Sequence, residues 1–275
     1  MKLIVQKYGG TSVATPEARE LVYRRIIGAK EAGHAVIAVV SAMGRRGAPY
    51  ATDTLLDLVQ PVCPQARERE QTLMQFCGEI IAGSLITANL QQRGYPATYL
   101  TGQQAGLITT ADFDEAEILR VESRRLRSLL QAGEIVVVAG GQGATPEGEI
   151  TSLGRGGSDI TACALGVALE ADQIEIYSDV EGIMTADPQL ITAAKIHSRI
   201  SHADCHLLAA QGAKVMHPRA VEIAAKRPTI PLWVRSVFSE NPGTLIAAAE
   251  READAGDTEK VETKLLGVTV LAKQT

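Results

Sequence analysis

Seven consecutive residues, Leu153-Gly154-Arg155-Gly156-Gly157-Ser158-Asp159, set a guanidinium, a glycine turn and a carboxylate directly before a helix-like run that begins near Ile160. Glycines let backbone N–H groups converge without a Cβ in the way, a helix start adds free donors, and arginine contributes a permanent forked cation. Together they describe an anion site. A second loop of the same kind, Lys7-Tyr8-Gly9-Gly10-Thr11-Ser12, follows the apolar strand candidate Leu3–Val5 and leads into another helical segment. Lys7 stands at the strand's end, within reach of an anion held by that loop. It is not a Walker A loop, because its lysine precedes the glycines. Two phosphate-friendly loops in one fold point to phosphoryl transfer.

Each loop also has a bland reading. The first could be a glycine cap followed by a capping Ser158 or Asp159, and the second an ordinary strand-to-helix turn. Capping accounts for Ser158 but not for Arg155 beside it. A third segment, from Tyr177 through Ser178, Asp179, Glu181, Met184 and Asp187 to Pro188, packs three carboxylates and a hydroxyl into a turn-rich loop. Solvation alone could explain it. That all three loops follow expected strands favours a shared ligand site.

The elements that would position these loops alternate along the chain. Strand-like runs at Leu3–Val5, Ala35–Val40, Ala97–Leu100, Ile135–Ala139, Ile174–Tyr177 and Ile230–Val234 are short and apolar, as expected for strands buried on both faces of a parallel sheet. Helical patterns separate them, over Pro16–Gly33, Ala66 to about Gln92, Glu122–Gln131, Ser158–Leu169, Ala203–Gln211 and Pro218–Lys226. The alternation predicts a layered α/β sheet with right-handed crossovers. Ligands in such sheets sit beyond the carboxyl ends of the strands, where the glycine loops fall. Leu107–Asp114 and Pro146–Thr151 read as hairpins or loops at the same rim. There is no internal repeat and no low-complexity tract.

The 275 residues, 45% apolar, suffice for one large core or two lobes and exclude a wholly disordered chain. Twenty-seven basic against 32 acidic residues give a net charge of −5, which argues against a sequence-independent nucleic-acid binder. The N-terminus turns polar too early for a signal peptide, and no uninterrupted apolar run approaches the roughly 18 residues of a membrane span, so a cytoplasmic protein is expected. Cys63, Cys77, Cys163 and Cys205 lack CxxC spacing and are expected to be buried, reduced thiols.

Seven segments occur in the order found in aspartate kinases: Lys7–Ser12, Val40–Gly44, Tyr50–Asp53, Cys77–Glu79, Leu153–Asp159, Tyr177–Pro188 and Gly212–Arg219. The chain resembles that family over residues 1–247. The first segment is shared across the wider amino acid kinase superfamily, whereas the last three together are specific to aspartate kinases. The resemblance implies a three-layer α/β/α sandwich with a mainly parallel central sheet and two lobes, the N-terminal one for aspartate and the C-terminal one for ATP. It implies transfer of the ATP γ-phosphoryl group to the β-carboxylate of L-aspartate, the opening step toward lysine, threonine and methionine, with Mg²⁺ required. A carboxylate of pKa ~4 is already ionised at neutral pH, so this nucleophile needs no general base. The site must neutralise charge and align the reacting oxygens.

By that resemblance Lys7 stabilises the transferred group, Gly9 and Gly10 supply backbone donors, and Asp159 orients Lys7 and helps place Mg²⁺. Arg155, in its loop with Gly156 and Gly157, takes the α-carboxylate of aspartate, and Glu79 takes its ammonium. Ser41, Thr52 and Ser158 add hydroxyls. Ser178, Asp179, Met184 and Asp187 form the ATP pocket, and Lys214 meets the phosphates. Two departures touch affinity and rate more than reaction type: Gln189 where the family commonly has arginine, and Gly141 where it often has phenylalanine. Rival readings are a related kinase for another acidic substrate, or a weakly active ATP-binding regulatory subunit.

His202 and His206 lie four residues apart with Asp204 and Cys205 between them, so a zinc site is conceivable, but Ser201 with Asp204 also forms a helix-capping pattern, which is favoured. Residues 248–275 read as a charged linker followed by an apolar strand-length run, Leu265–Leu271. That is shorter than the ~50 residues of a small domain, so a complete ACT module is not expected. Lysine and threonine sensitivity would then need a separate ACT-containing chain. A homodimer is the expected assembly.

Overall fold

The computed structural model describes residues 2–186, 191–213 and 216–248. In chain order its elements begin with β1 (Leu3–Tyr8), α1 (Gly10–Val13), α2 (Pro16–Glu31), β2 (Ala35–Val40), α3 (Thr52–Leu56) and α4 (Glu68–Gln92). There follow β3 (Ala97–Leu100), β4 (Leu107–Thr109), β5 (Ile118–Val121), α5 (Arg124–Gln131), β6 (Ile135–Ala139), β7 (Gln142–Ala144) and β8 (Ile150–Ser152). The last are α6 (Gly157–Leu169), β9 (Gln173–Ser178), β10 (Arg199–Ser201), α7 (His202–Ala210), α8 (Pro218–Ala225), β11 (Leu232–Ser236) and β12 (Thr244–Ala247).

Because successive side chains on a strand point to opposite faces, residue parity divides the interior into two cores. On β2, Ala35, Ile37 and Val39 join a core with Ile160 and Leu165 of α6, whereas Val36, Ala38 and Val40 join one with Val22 and Ile26 of α2 and Ile86 of α4. Helices α5, α6, α7 and α8 therefore cover one face and α2 and α4 the other, giving the expected three layers. The central sheet runs β10-β12-β11-β9-β1-β2-β6-β3, parallel throughout except where β11 meets β12. A smaller sheet, β5-β4-β7-β8, gathers the segments expected as rim hairpins.

Strand β1 sits between β2 and β9, with Tyr8 opposite both Val40 and Tyr177. Val40 in turn faces Ala139 of β6. The carboxyl ends of four strands thus align, and the loops after each open on one edge. This is the topological switch point of the sheet, where the chain order reverses about β1.

Local signals set the helix starts. Thr15 accepts a hydrogen bond from the Ala18 N–H at 3.2 Å, Pro16 opens α2, and Glu17 lies in its first turn. Ser201 caps α7, its hydroxyl accepting from the Asp204 N–H at 3.0 Å. The two α7 histidines part company: His202 is buried beneath the helix, and His206 pairs with Glu222 at 2.8 Å. Helix α4 is long and apolar enough to cross a membrane by composition, yet Phe76, Ala82, Ile86 and Leu90 bury one side of it in the protein core. The thiol expectation needs correction, since Cys63 is exposed and Cys77 half-buried, while Cys163 and Cys205 are buried. All four are free. The tail run Leu265–Leu271 lies outside the described residues.

Candidate active site

Parity also places the first cation. Leu3 and Val5 face the α6 side of the sheet, so Lys7 follows them onto that face, where α6 begins. Its Nζ lies 2.7 Å from Asp159 Oδ1, and both residues are more than nine-tenths buried. Asp159 therefore does not cap its helix; Gly156 is the N-cap residue of α6, without a side-chain cap bond. Gly156 adopts φ 69°, a left-handed conformation that a side chain would strain.

The two glycine loops are held by close backbone packing. A Cβ on Gly10 would stand 2.7 Å from the Gly44 carbonyl oxygen and 2.8 Å from that of Ala42. Only glycine fits there. The Gly44 N–H donates to Gly10 O at 2.9 Å, and the Gly9 N–H donates to Tyr177 O at 3.2 Å, tying together the loops after β1, β2 and β9. Across the same edge the Ser41 hydroxyl donates to Ser158 Oγ at 3.0 Å.

Below this edge lies a cleft of about 430 Å³. Ser41, Thr52, Glu79, Arg155 and the Gly156–Ser158 turn all line it, so every residue that the resemblance assigns to the amino acid converges on one cavity. Arg155 is exposed and forms no hydrogen bond or ion pair with another described residue. Glu79, on α4, is buried; its Oε1 accepts from the Ala42 N–H at 3.2 Å, while Oε2 has no partner. Burial pushes the Glu79 carboxyl up to about 7, against the lowering effect of the backbone N–H bonds it accepts. A buried acceptor left open at the wall of a cavity is suited to a donor arriving with a ligand.

Sequence reasoning did not single out Asp114, Gln75 or Phe76, which also line the cleft. Asp114 comes from the β4–β5 connection and reaches the cavity only through the small sheet, a placement without a local signal. Arg45 was also missed. It bridges to Asp179, linking the loop after β2 to the loop after β9.

On the other side of the edge, Ser178 ends β9 and its hydroxyl accepts from the Val180 N–H at 3.3 Å. Met184 forms an antiparallel bridge with Ile196. Asp187, Gln189 and Lys214 lie outside the described residues.

The sequence profile described as Amino acid kinase family matches residues 2–236. Aspartokinase 1 of Bacillus subtilis is 47% identical over 248 residues, covering 90% of this chain and 61% of the relative. The aspartokinase of Thermus thermophilus is 45% identical over 258 residues, or 94% of this chain and 62% of the relative. The chain thus spans about three-fifths of the length of the curated relatives it matches. Among solved structures, aspartate kinase from Synechocystis superposes with a TM-score of 0.76 at 44% identity, covering 90% of this chain and 40% of that one. Aspartokinase III of E. coli, solved with aspartate and ADP, gives 0.78 at 26% identity, over 91% of this chain and 66% of that one.

Proposed function

The chain belongs to the amino acid kinase family, and on that premise we propose that it transfers the γ-phosphoryl group of ATP to the β-carboxylate of L-aspartate, giving 4-phospho-L-aspartate. One observation carries the reading: a single cleft presents an unpaired guanidinium, Arg155, and a buried carboxylate with an open oxygen, Glu79, beside the Lys7–Asp159 pair. A cation and an anion lining one cleft suit a zwitterion gripped by both its polar ends, with Arg155 on the α-carboxylate and Glu79 on the ammonium. The similarity to a protein solved with aspartate and ADP supports the same pairing of ligands.

In this reading an N-terminal lobe holds aspartate and a C-terminal lobe holds ATP, within one kinase domain over residues 1–247. Lys7 projects its charge toward the phosphoryl group in transit, and Gly9 and Gly10 supply N–H donors to its oxygens. Asp159 keeps the Lys7 ammonium aimed. Ser41, Thr52 and Ser158 complete the aspartate side through their hydroxyls, while Ser178, Asp179, Met184, Asp187 and Lys214 take the nucleotide. In this reading Mg²⁺ arrives on the ATP phosphates, and Asp159 helps to place it. Bound there, Mg²⁺ would neutralise charge on the phosphate oxygens.

The test is coupled ADP release with aspartate set against glutamate, N-acetylglutamate and UMP, with and without Mg²⁺. Turnover confined to aspartate and dependent on Mg²⁺ is expected. Turnover with N-acetylglutamate or UMP, but not aspartate, would overturn the proposal.

A further inference from the structure

Nothing bonded to the Arg155 side chain fixes its direction, so its aim depends on the backbone that carries it. Two residues from the start of α8 hold that backbone. The Arg219 guanidinium donates from Nη1 to Leu153 O at 3.0 Å and from Nη2 to Ala116 O at 2.7 Å. Both acceptor residues are fully buried, so neither carbonyl has water as a ready substitute. Leu153 stands two residues before Arg155, and its N–H donates to Gly141 O at 2.8 Å on the cleft wall. The Ala116 N–H donates to Ser152 O at 2.7 Å, so the second arm of the fork secures the strand that leads into the same loop and the connection that carries Asp114.

His217 completes the hold from the other side of Arg155. It packs so closely on Gly156 that a Cβ there would come within 2.4 Å of the His217 Cβ. The Arg155 backbone is thus pinned before and after by residues of one helix start, on an element that supplies no side chain to the cleft.

We infer that Arg219 is a positioning residue that aims Arg155 into the cleft by gripping the carbonyls of Leu153 and Ala116. The consequence for aspartate rests on the activity proposed above; the grip itself does not. The planar fork matters, because it reaches two carbonyls at once, whereas a lysine offers one compact ammonium on a flexible stem. Arg219→Gln leaves both buried carbonyls without their partner, and Arg219→Lys restores at most one.

Two measurements on the whole chain test this. Amide hydrogen exchange should accelerate in peptides spanning 153–159 in Arg219→Gln, less so in Arg219→Lys, with peptides spanning 3–12 unchanged. Steady-state kinetics should show the KM for aspartate raised roughly 10- to 100-fold in Arg219→Gln, as for a displaced binding group, with an intermediate value in Arg219→Lys and the KM for ATP held within about twofold. Unchanged exchange at 153–159, or equal shifts in both KM values, overturns the inference. If Arg219→Gln does not fold, the same split in Arg219→Lys decides. If the unmodified protein does not phosphorylate aspartate, the activity proposal falls, and the exchange data still decide whether Arg219 holds the loop.

Discussion

Lys7 Nζ lies 2.7 Å from Asp159 Oδ1, although one residue ends the first strand and the other opens a helix more than half the chain away. A buried pair of this kind leaves a lone charge in a poorly solvated place when either member is removed, a loss of about 3–5 kcal/mol. Lys7→Ala is therefore expected to abolish hydroxamate formation from aspartate and ATP and to lower stability by about 3 kcal/mol. The double variant Lys7→Met, Asp159→Leu should be inactive yet more stable than Lys7→Ala alone, because no charge is stranded. Urea melts of the set check this, and additive losses would contradict it.

The Glu79 carboxyl, pushed up to about 7 by burial, must be ionised to meet an ammonium group. Below about 7 the empty protein holds a proton that the ligand must displace, so the KM for aspartate should fall as pH rises from about 6 to 8 and then level off. The stability of the empty protein runs the other way. The folded chain retains the proton that the unfolded chain has lost, so this contribution is full below the unfolded value near 4.5 and is lost as pH climbs through about 7. Glu79→Gln should flatten the pH profile of KM, weaken aspartate binding, and leave the melting temperature at pH 8 unchanged or higher. A pH-dependent KM that persists in Glu79→Gln would assign the titration elsewhere.

Gly9 and Gly10 are adjacent but not equivalent. A methyl group on Gly10 would overlap two carbonyl oxygens, at 2.7 and 2.8 Å, whereas on Gly9 the nearest atom is 3.6 Å away. Gly10→Ala should destabilise by about 1–3 kcal/mol, as overpacking does, with Gly9→Ala much milder. Thermal melts should separate the two variants, and equal losses would show that the loop after β2 yields easily.

Ser201 caps α7, and neither it nor any residue of that helix lines the cleft. Ser201→Ala should remove about 1 kcal/mol of stability and leave KM and kcat untouched. A kinetic effect would mean that α7 communicates with the catalytic edge.

Long, unbroken apolar runs made the sheet legible. Ala35–Val40 and Ile135–Ala139 became central parallel strands because burial on both faces selects such runs. The three-residue β7 and β10 and the four-residue β5 and β12 were not legible: residues such as Gln142-Gly143-Ala144 have no strand pattern of their own and pair because neighbours bring them together. The expected strand at Ile230–Val234 shifted to Leu232–Ser236 to register with β9. In the site, the loop residues were readable by type and spacing, but the convergence of Thr52, Glu79 and Arg155 came from resemblance, since they lie on three separate elements. Arg219 closed one of the segments that carry the resemblance, but its grip was not legible, because its acceptors lie 66 and 103 positions away and are backbone atoms, which side-chain identity does not report.

The central seat of β1 has a consequence for how the protein is made. Its two neighbours are Ala35–Val40 and Gln173–Ser178, so during synthesis one flank of the opening strand stays unsatisfied until most of the domain has been translated. Pairings between such distant segments form slowly, and a waiting apolar edge invites wrong partners. Truncations made ahead of β9 should therefore yield aggregates rather than a smaller working unit.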